Sequence, residues 1–173
     1  SISLTGLPDA EALELIRSHG SSLGLKAIER AEEAVLMRLC RATGGLPLAT
    51  QWALGQIKQK GQSLDTVLEF LYEAKGNIFD HIFLRSWKLL SPDAQRVLCI
   101  MPIFASDASQ PAIEASSGVY GSAFDEALGQ LVEMSLVSTH DNLDLPQPRY
   151  SVHPLTRVFA SAKLEATIAH QAN

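Results

Sequence analysis

Ser151 and His153, in the string Tyr150-Ser151-Val152-His153-Pro154-Leu155-Thr156-Arg157-Val158-Phe159-Ala160, are the residues here whose types most invite a reaction. Two apart on a strand, a serine and a histidine project to one side, as a nucleophile and its base would. No acidic residue stands nearby in sequence to orient the histidine, so Ser151 reads as an ordinary strand serine. There is no Gly-x-x-x-x-Gly-Lys-Ser/Thr phosphate loop and no Gly-x-Ser-x-Gly elbow, and no Cys or His pair has metal-ligand spacing. Neither catalysis nor a metal centre is expected, which leaves binding.

His153 stands before a proline at what reads as a helix start. N–H groups there already face an anion, and an imidazole adds a donor suited to a phosphate. The same position also suits a purely structural helix cap. Arg157 lies one turn on and could reach the same anion or serve as a solvated or inter-domain charge. His19, His81, His140 and His170 have no comparable context and read as structural or surface residues. Far upstream, Pro47 sits in the run Thr43-Gly44-Gly45-Leu46-Pro47-Leu48-Ala49 between two apolar helical patterns. Gly44 or Gly45 supplies a left-handed cap for the first helix, and Pro47 opens the second, where its missing N–H would be unpaired anyway.

The elements that must position these residues are mainly helical. Residues 8–16 read as a short helix with Pro8 in its first turn and Asp9 and Glu11 at its amino end, stopped by His19-Gly20-Ser21-Ser22. Residues 27–41 read as one amphipathic helix, with Ala31, Ala34, Val35, Leu39 and Cys40 near one face. The helix opened by Pro47 runs to about Lys60, and residues 63–74 give a fourth with Leu64, Val67, Leu68 and Leu71 in one stripe. These four form a small bundle, assigned to a first domain at 1–76.

The pattern changes after Gly76-Asn77, and residues 77–173 read as a second domain. Helices are expected at 78–90, from Ser91-Pro92-Asp93 to Ile100, at 110–116, and after Gly121 with Phe124, Leu128, Leu131 and Val132 on one face. Two short strands follow, at 137–139 and 149–152, joined by a polar loop at 141–148. A last helix from Pro154 packs through Leu155, Val158, Phe159, Ala162 and Ala166. Helices followed by a hairpin describe a winged helix-turn-helix.

With 46% hydrophobic residues and 19% charged, the 173-residue chain can build a packed interior and is not of disordered composition. The net charge is −5, and from Arg96 to Arg149 no Lys or Arg intervenes while Asp107, Glu114, Asp125, Glu126, Glu133, Asp141 and Asp144 do. A duplex is bound largely through cations on its phosphates, so DNA is not the expected partner. Cys40 and Cys99 read as buried free thiols of a reducing cytoplasm. No apolar run reaches the ~20 residues of a membrane span, and no signal-peptide pattern opens the chain. Ser1 in place of Met suggests a processed or excised piece.

In this order the Gly-Leu-Pro-Leu run at 45–48 and the Val-His-Pro-Leu string at 152–155 resemble the helical and winged-helix modules that follow the nucleotide-binding core of NB-ARC proteins, which are STAND-class signalling ATPases. The resemblance covers nearly the whole chain but not the core. It implies that Pro47 packs on the adenine ring of ADP or ATP, with Leu46 and Leu48 shaping the apolar wall, and that His153 reaches the β-phosphate of ADP. The family's winged-helix string is Met-His-Asp. Here Val152 and Pro154 replace the Met and the Asp, a form similar to bacterial members, and any role of the aspartate is lost.

The resemblance therefore implies the regulatory part of a nucleotide switch, closed by ADP and not itself an ATPase. Its partners would be an upstream core that carries Walker A and Walker B, C-terminal sensor modules, and a homo-oligomer on activation. This chain alone would bind nucleotide weakly or not at all. The alternative is a winged-helix module that binds protein, or regulates transcription, without nucleotide.

Overall fold

Prolines, serines and glycines place most of the helix ends in this chain, for which the structure is a computed structural model describing residues 5–74, 76–141, 144 and 146–172. Ser63, Ser91 and Ser109 each accept a backbone N–H three residues on, from Thr66, Ala94 and Ala112, at 3.0, 3.1 and 3.4 Å. Each satisfies one of the donors that a helix start leaves unpaired. Among the described residues the chain is mainly helical, with ten α-helices and a small antiparallel sheet of three strands. It divides into two compact units, 1–89 and 90–173.

The first unit contains α1 (Asp9–Ser22), α2 (Lys26–Glu29), α3 (Glu33–Ala42), α4 (Pro47–Ile57), α5 (Leu64–Tyr72) and α6 (Ile78–Leu89). Patterning predicts four helices before Gly76, and three differences separate it from the structure. Helix α1 continues through Gly20 to Ser22: Gly20 does not adopt a positive φ and so does not stop the helix, and its lack of a side chain serves close packing instead, since an added Cβ would lie 2.7 Å from Ile28 Cγ2. The helix expected at 27–41 is interrupted between Glu29 and Glu33, and the buried face of α3 is Leu36, Leu39 and Cys40, while Ala34 is exposed. Most consequentially, α6 belongs to the first unit and not to the second domain expected from residue 77.

The reason is the interior of α4. Trp52 is fully buried and meets Phe79 edge-on and Phe83 at a tilt, each with ring centroids 5.9 Å apart. Beside it the Gln56 side-chain amide donates to the Ile82 carbonyl at 3.0 Å and to Ser86 Oγ at 2.9 Å. A helix apolar nearly all round needs neighbours on every side, and α6 supplies one of them.

The second unit runs through α7 (Pro92–Ile100), a 3₁₀ turn (Met101–Ile103), β1 (Ala108–Ser109), α8 (Gln110–Ser117), α9 (Gly121–Glu133), β2 (Ser138–His140), β3 (Arg149–Ser151) and α10 (Pro154–Gln171). Its interior is built from Val97, Leu98, Met101, Ile113, Phe124, Leu131, Met134 and Ala160. The expected hairpin is present as β2 paired with β3, Thr139 opposite Tyr150; positions 142, 143 and 145 of the loop expected to join them lie outside the described residues. Strand β1 pairs on the other edge of β3, Ala108 opposite Tyr150, giving the order β1-β3-β2. Two residues are too few for an alternation pattern, so β1 is invisible to patterning.

Helix α10 presents a different face from the one expected. Thr156 and Ala160 are buried, whereas Val158 is 62% exposed and Ala162 and Ala166 are exposed. On α9, Val132 likewise lies at the surface.

Candidate functional site

The run at 43–50 is a rigid corner. Thr43 is the C-cap of α3; Gly44 and Gly45 both take left-handed conformations, with φ of +65° and +67°. Gly45 N–H donates to the Cys40 carbonyl at 2.9 Å and Gly44 N–H to the Arg41 carbonyl at 3.1 Å, the paired bonds of a Schellman cap. Leu46 then caps α4 and Pro47 is its first residue. Buried side chains lock the corner: Thr50 Oγ1 lies 3.1 Å from Thr43 Oγ1 and 2.9 Å from the Leu46 carbonyl, and Thr43 Oγ1 donates to the Leu39 carbonyl at 2.9 Å. The result is a fixed ledge in which Pro47 is exposed between half-buried Leu46 and Leu48.

His153 is the N-cap of α10, in extended conformation. The Leu155 N–H donates to its Nδ1 at 3.0 Å, and its carbonyl accepts from the Arg157 N–H at 2.9 Å. A ring nitrogen that accepts carries no proton, so this bond assigns the neutral tautomer with its single hydrogen on Nε2. Burial draws the His153 pKa below its ordinary value, which favours the same form. The His-Pro-Leu string is thus a cap, a first-turn proline and the donor to that cap, and it leaves one N–H, on Nε2, for any ligand.

Arg157 is committed in part elsewhere. Its Nη1 donates to the Pro102 carbonyl at 2.7 Å and its Nη2 to the Phe104 carbonyl at 2.8 Å, tying α10 to the 3₁₀ turn. These bonds use two of the five guanidinium N–H groups, so Arg157 has a structural task beside any phosphate contact shared with His153. Ser151 also has a partner that patterning misses, His140, whose Nε2 lies 2.6 Å from Ser151 Oγ. The two face a hollow of about 420 Å³ also lined by Ser106, Asp107 and Arg157. Asp107 is bound instead to Arg149, at 2.8 Å, so no hydrogen bond of Asp107 to His140 orients it as the base of a triad. The register of β2 on β3 creates the pair, and neither residue alone signals it.

A second hollow, of about 530 Å³, lies in the first unit between α5 and α6. There the Arg85 guanidinium stands 4.5 Å from the centre of the Phe70 ring, and His81 stacks on the same ring at 3.9 Å. Glu69 and Glu73 share it with Arg85 and Lys88, so it favours no single sign of charge. Among the described residues no cluster of His, Cys, Asp and Glu could hold a metal ion. Cys40 and Cys99 are buried free thiols whose pKa burial raises, and such thiols are inert. No helix among the described residues is long and apolar enough to cross a membrane. No protein-family model matches the chain, and no curated protein matches it.

Proposed function

We propose that this chain is the regulatory helical and winged-helix region of an NB-ARC/STAND nucleotide switch, in which each unit contributes one contact to ADP held on a separate nucleotide-binding core. On this reading α7, α8 and α9 with the β2–β3 hairpin are a winged helix-turn-helix. The carrying observation is the state of His153, a neutral cap at the start of the 18-residue α10 that keeps Nε2–H as its one remaining donor. Such a donor beside a helix amino end suits a phosphate oxygen. The exposed Pro47 between Leu46 and Leu48 offers the flat apolar contact that a purine ring needs. ADP would then favour the closed arrangement only by as much as these contacts differ between the closed and open states. Hydrolysis, in this proposal, belongs to the core.

The charge distribution supports the protein-binding alternative over the DNA-binding one. All of the net charge of −5 resides in 90–173, where Arg96, Arg149, Arg157 and Lys163 meet nine carboxylates. Arg149 is paired with Asp107, so the other cations of this unit, Arg96, Arg157 and Lys163, would face phosphates against a local excess of carboxylates. The exposed Val158 and Ile168 of α10 are the observation in favour of a protein partner.

An ADP titration by calorimetry on the protein joined to its nucleotide-binding core separates the two. His153→Ala is expected to weaken ADP at least tenfold, the value of about 1.4 kcal/mol of charge-assisted bonding. Unchanged affinity would remove the phosphate role and favour the protein-binding module.

A further inference from the structure

The segment that enters α1 lies against the Gly44–Gly45 corner at main-chain distance. The Leu7 N–H donates to the Gly45 carbonyl at 2.8 Å. A Cβ added to Gly6 would overlap the Gly44 carbonyl oxygen and stand 3.2 Å from its carbonyl carbon. One added to Gly45 would lie 2.8 Å from the Leu7 carbonyl oxygen and 3.2 Å from the Leu7 nitrogen. In each case the obstacle is backbone, which cannot rotate aside as the end of a side chain can. Gly44 differs, since its added Cβ would meet only the Leu46 side chain at 3.8 Å; its need for glycine is the positive φ alone. Gly61 is a further contrast, left-handed with nothing within 4 Å.

We infer that residues 5–8 form a strap whose glycine-to-glycine interlock with the corner makes Gly6 and Gly45 positioning residues for the Leu46-Pro47-Leu48 ledge. The strap continues directly into α1, whose Pro8 carbonyl accepts the Ala12 N–H at 2.9 Å and whose Ile16 is fully buried. Its far end is therefore fixed, and displacement of the chain ahead of Leu7 acts on the ledge through the Leu7–Gly45 hydrogen bond and the close backbone approaches at Gly6 and Gly45. The Thr43–Thr50 contact and the interiors of α3 and α4 remain when the strap lifts, whereas the Gly45 N–H bond to the Cys40 carbonyl and the Leu46 N–H bond to the Thr43 carbonyl, no longer buttressed by the strap, open more often. Lifting it thus loosens the ledge without unfolding the unit. That the ledge touches a nucleotide rests on the function proposed above; the interlock does not.

Amide hydrogen exchange on the whole chain tests it, with Gly6→Ala as the first variant. Exchange at Leu7, Gly45 and Leu46 is expected to accelerate at least tenfold, with Leu39 and Leu54, inside α3 and α4, changing less than twofold. Deletion of residues 1–7 removes the strap with no added bulk, and is expected to free Gly45 and Leu46 in the same way. Gly61→Ala, strained but remote from the strap, is expected to leave the Leu7, Gly45 and Leu46 amides in step with Leu39 and Leu54. No acceleration in either strap variant, or acceleration shared equally by Leu39 and Leu54, overturns the inference. Failure of the nucleotide reading shows separately, as absence of ADP binding by the wild-type protein joined to its core.

Discussion

His153 shows how one side chain can be committed at one atom and available at another. Its Nδ1 accepts the Leu155 N–H, so protonation of the ring replaces an acceptor with a second donor and breaks the cap. Burial already lowers its pKa, so the folded state binds this proton less readily than the unfolded chain. Stability from this group is therefore complete above the unfolded value of about 6.5 and is lost as pH falls through the lower folded value. His19 is shifted in the same direction by burial, so the His153 share must be isolated by difference. His153→Asn keeps a capping acceptor that does not titrate. Urea unfolding at pH 7 and pH 5 is expected to show a smaller loss of stability in the variant than in the wild type. Ser151 carries the complementary lesson: its hydrogen-bonding histidine is His140, eleven residues before it, and not its neighbour His153.

Among the elements, α4 and α6 are the pair whose relation matters most. Gln56 is 1% exposed and its amide bridges from α4 to the Ile82 carbonyl and Ser86 Oγ of α6. Gln56→Leu removes the bridge but leaves Ser86 free to turn to a helix carbonyl, and should cost about 1 kcal/mol. Gln56→Glu puts a carboxyl into the same buried place, where its charged form is disfavoured and its pKa rises. Its cost is expected to exceed that of Gln56→Leu and to grow as pH climbs above the ordinary Glu value of about 4.3, because only the unfolded chain ionises freely. Chemical denaturation of both variants at pH 4 and pH 7 reads this directly. On α10, by contrast, Ala160 and Thr156 set the packed face because a small side chain and the Arg157 tie to the 3₁₀ turn draw that side inward.

For the whole molecule, the boundary between its compact units follows from that buried interior. A cut after Leu89 leaves Trp52 covered by Phe79 and Phe83, whereas a cut after Gly76 removes both rings and the partners of Gln56. Losing that cover from a fully buried tryptophan costs several kcal/mol, comparable with the stability of a small unit. The fragment 1–89 is expected to give a cooperative thermal transition and dispersed amide resonances, and 1–76 to give neither. The two units also differ in charge: 1–89 carries equal numbers of acidic and basic residues, and 90–173 holds the entire excess.

Local rules decided what the amino-acid sequence determined by itself. Pro47, Pro92 and Pro154 open helices because proline costs nothing where a helix has no N–H partner, and the Gly44–Gly45 pair ends one because left-handed backbone disfavours a Cβ. Strand β3 follows from its alternation, with Tyr150 buried between the half-buried Arg149 and Ser151. Packing between distant segments decided the rest. The membership of α6, the added strand β1, the His140–Ser151 contact, the carbonyls held by Arg157 and the Gly6–Gly45 interlock all join residues far apart in the chain. No propensity or period encodes which remote backbone a residue will meet, because that is settled only when the apolar faces of whole helices are buried together.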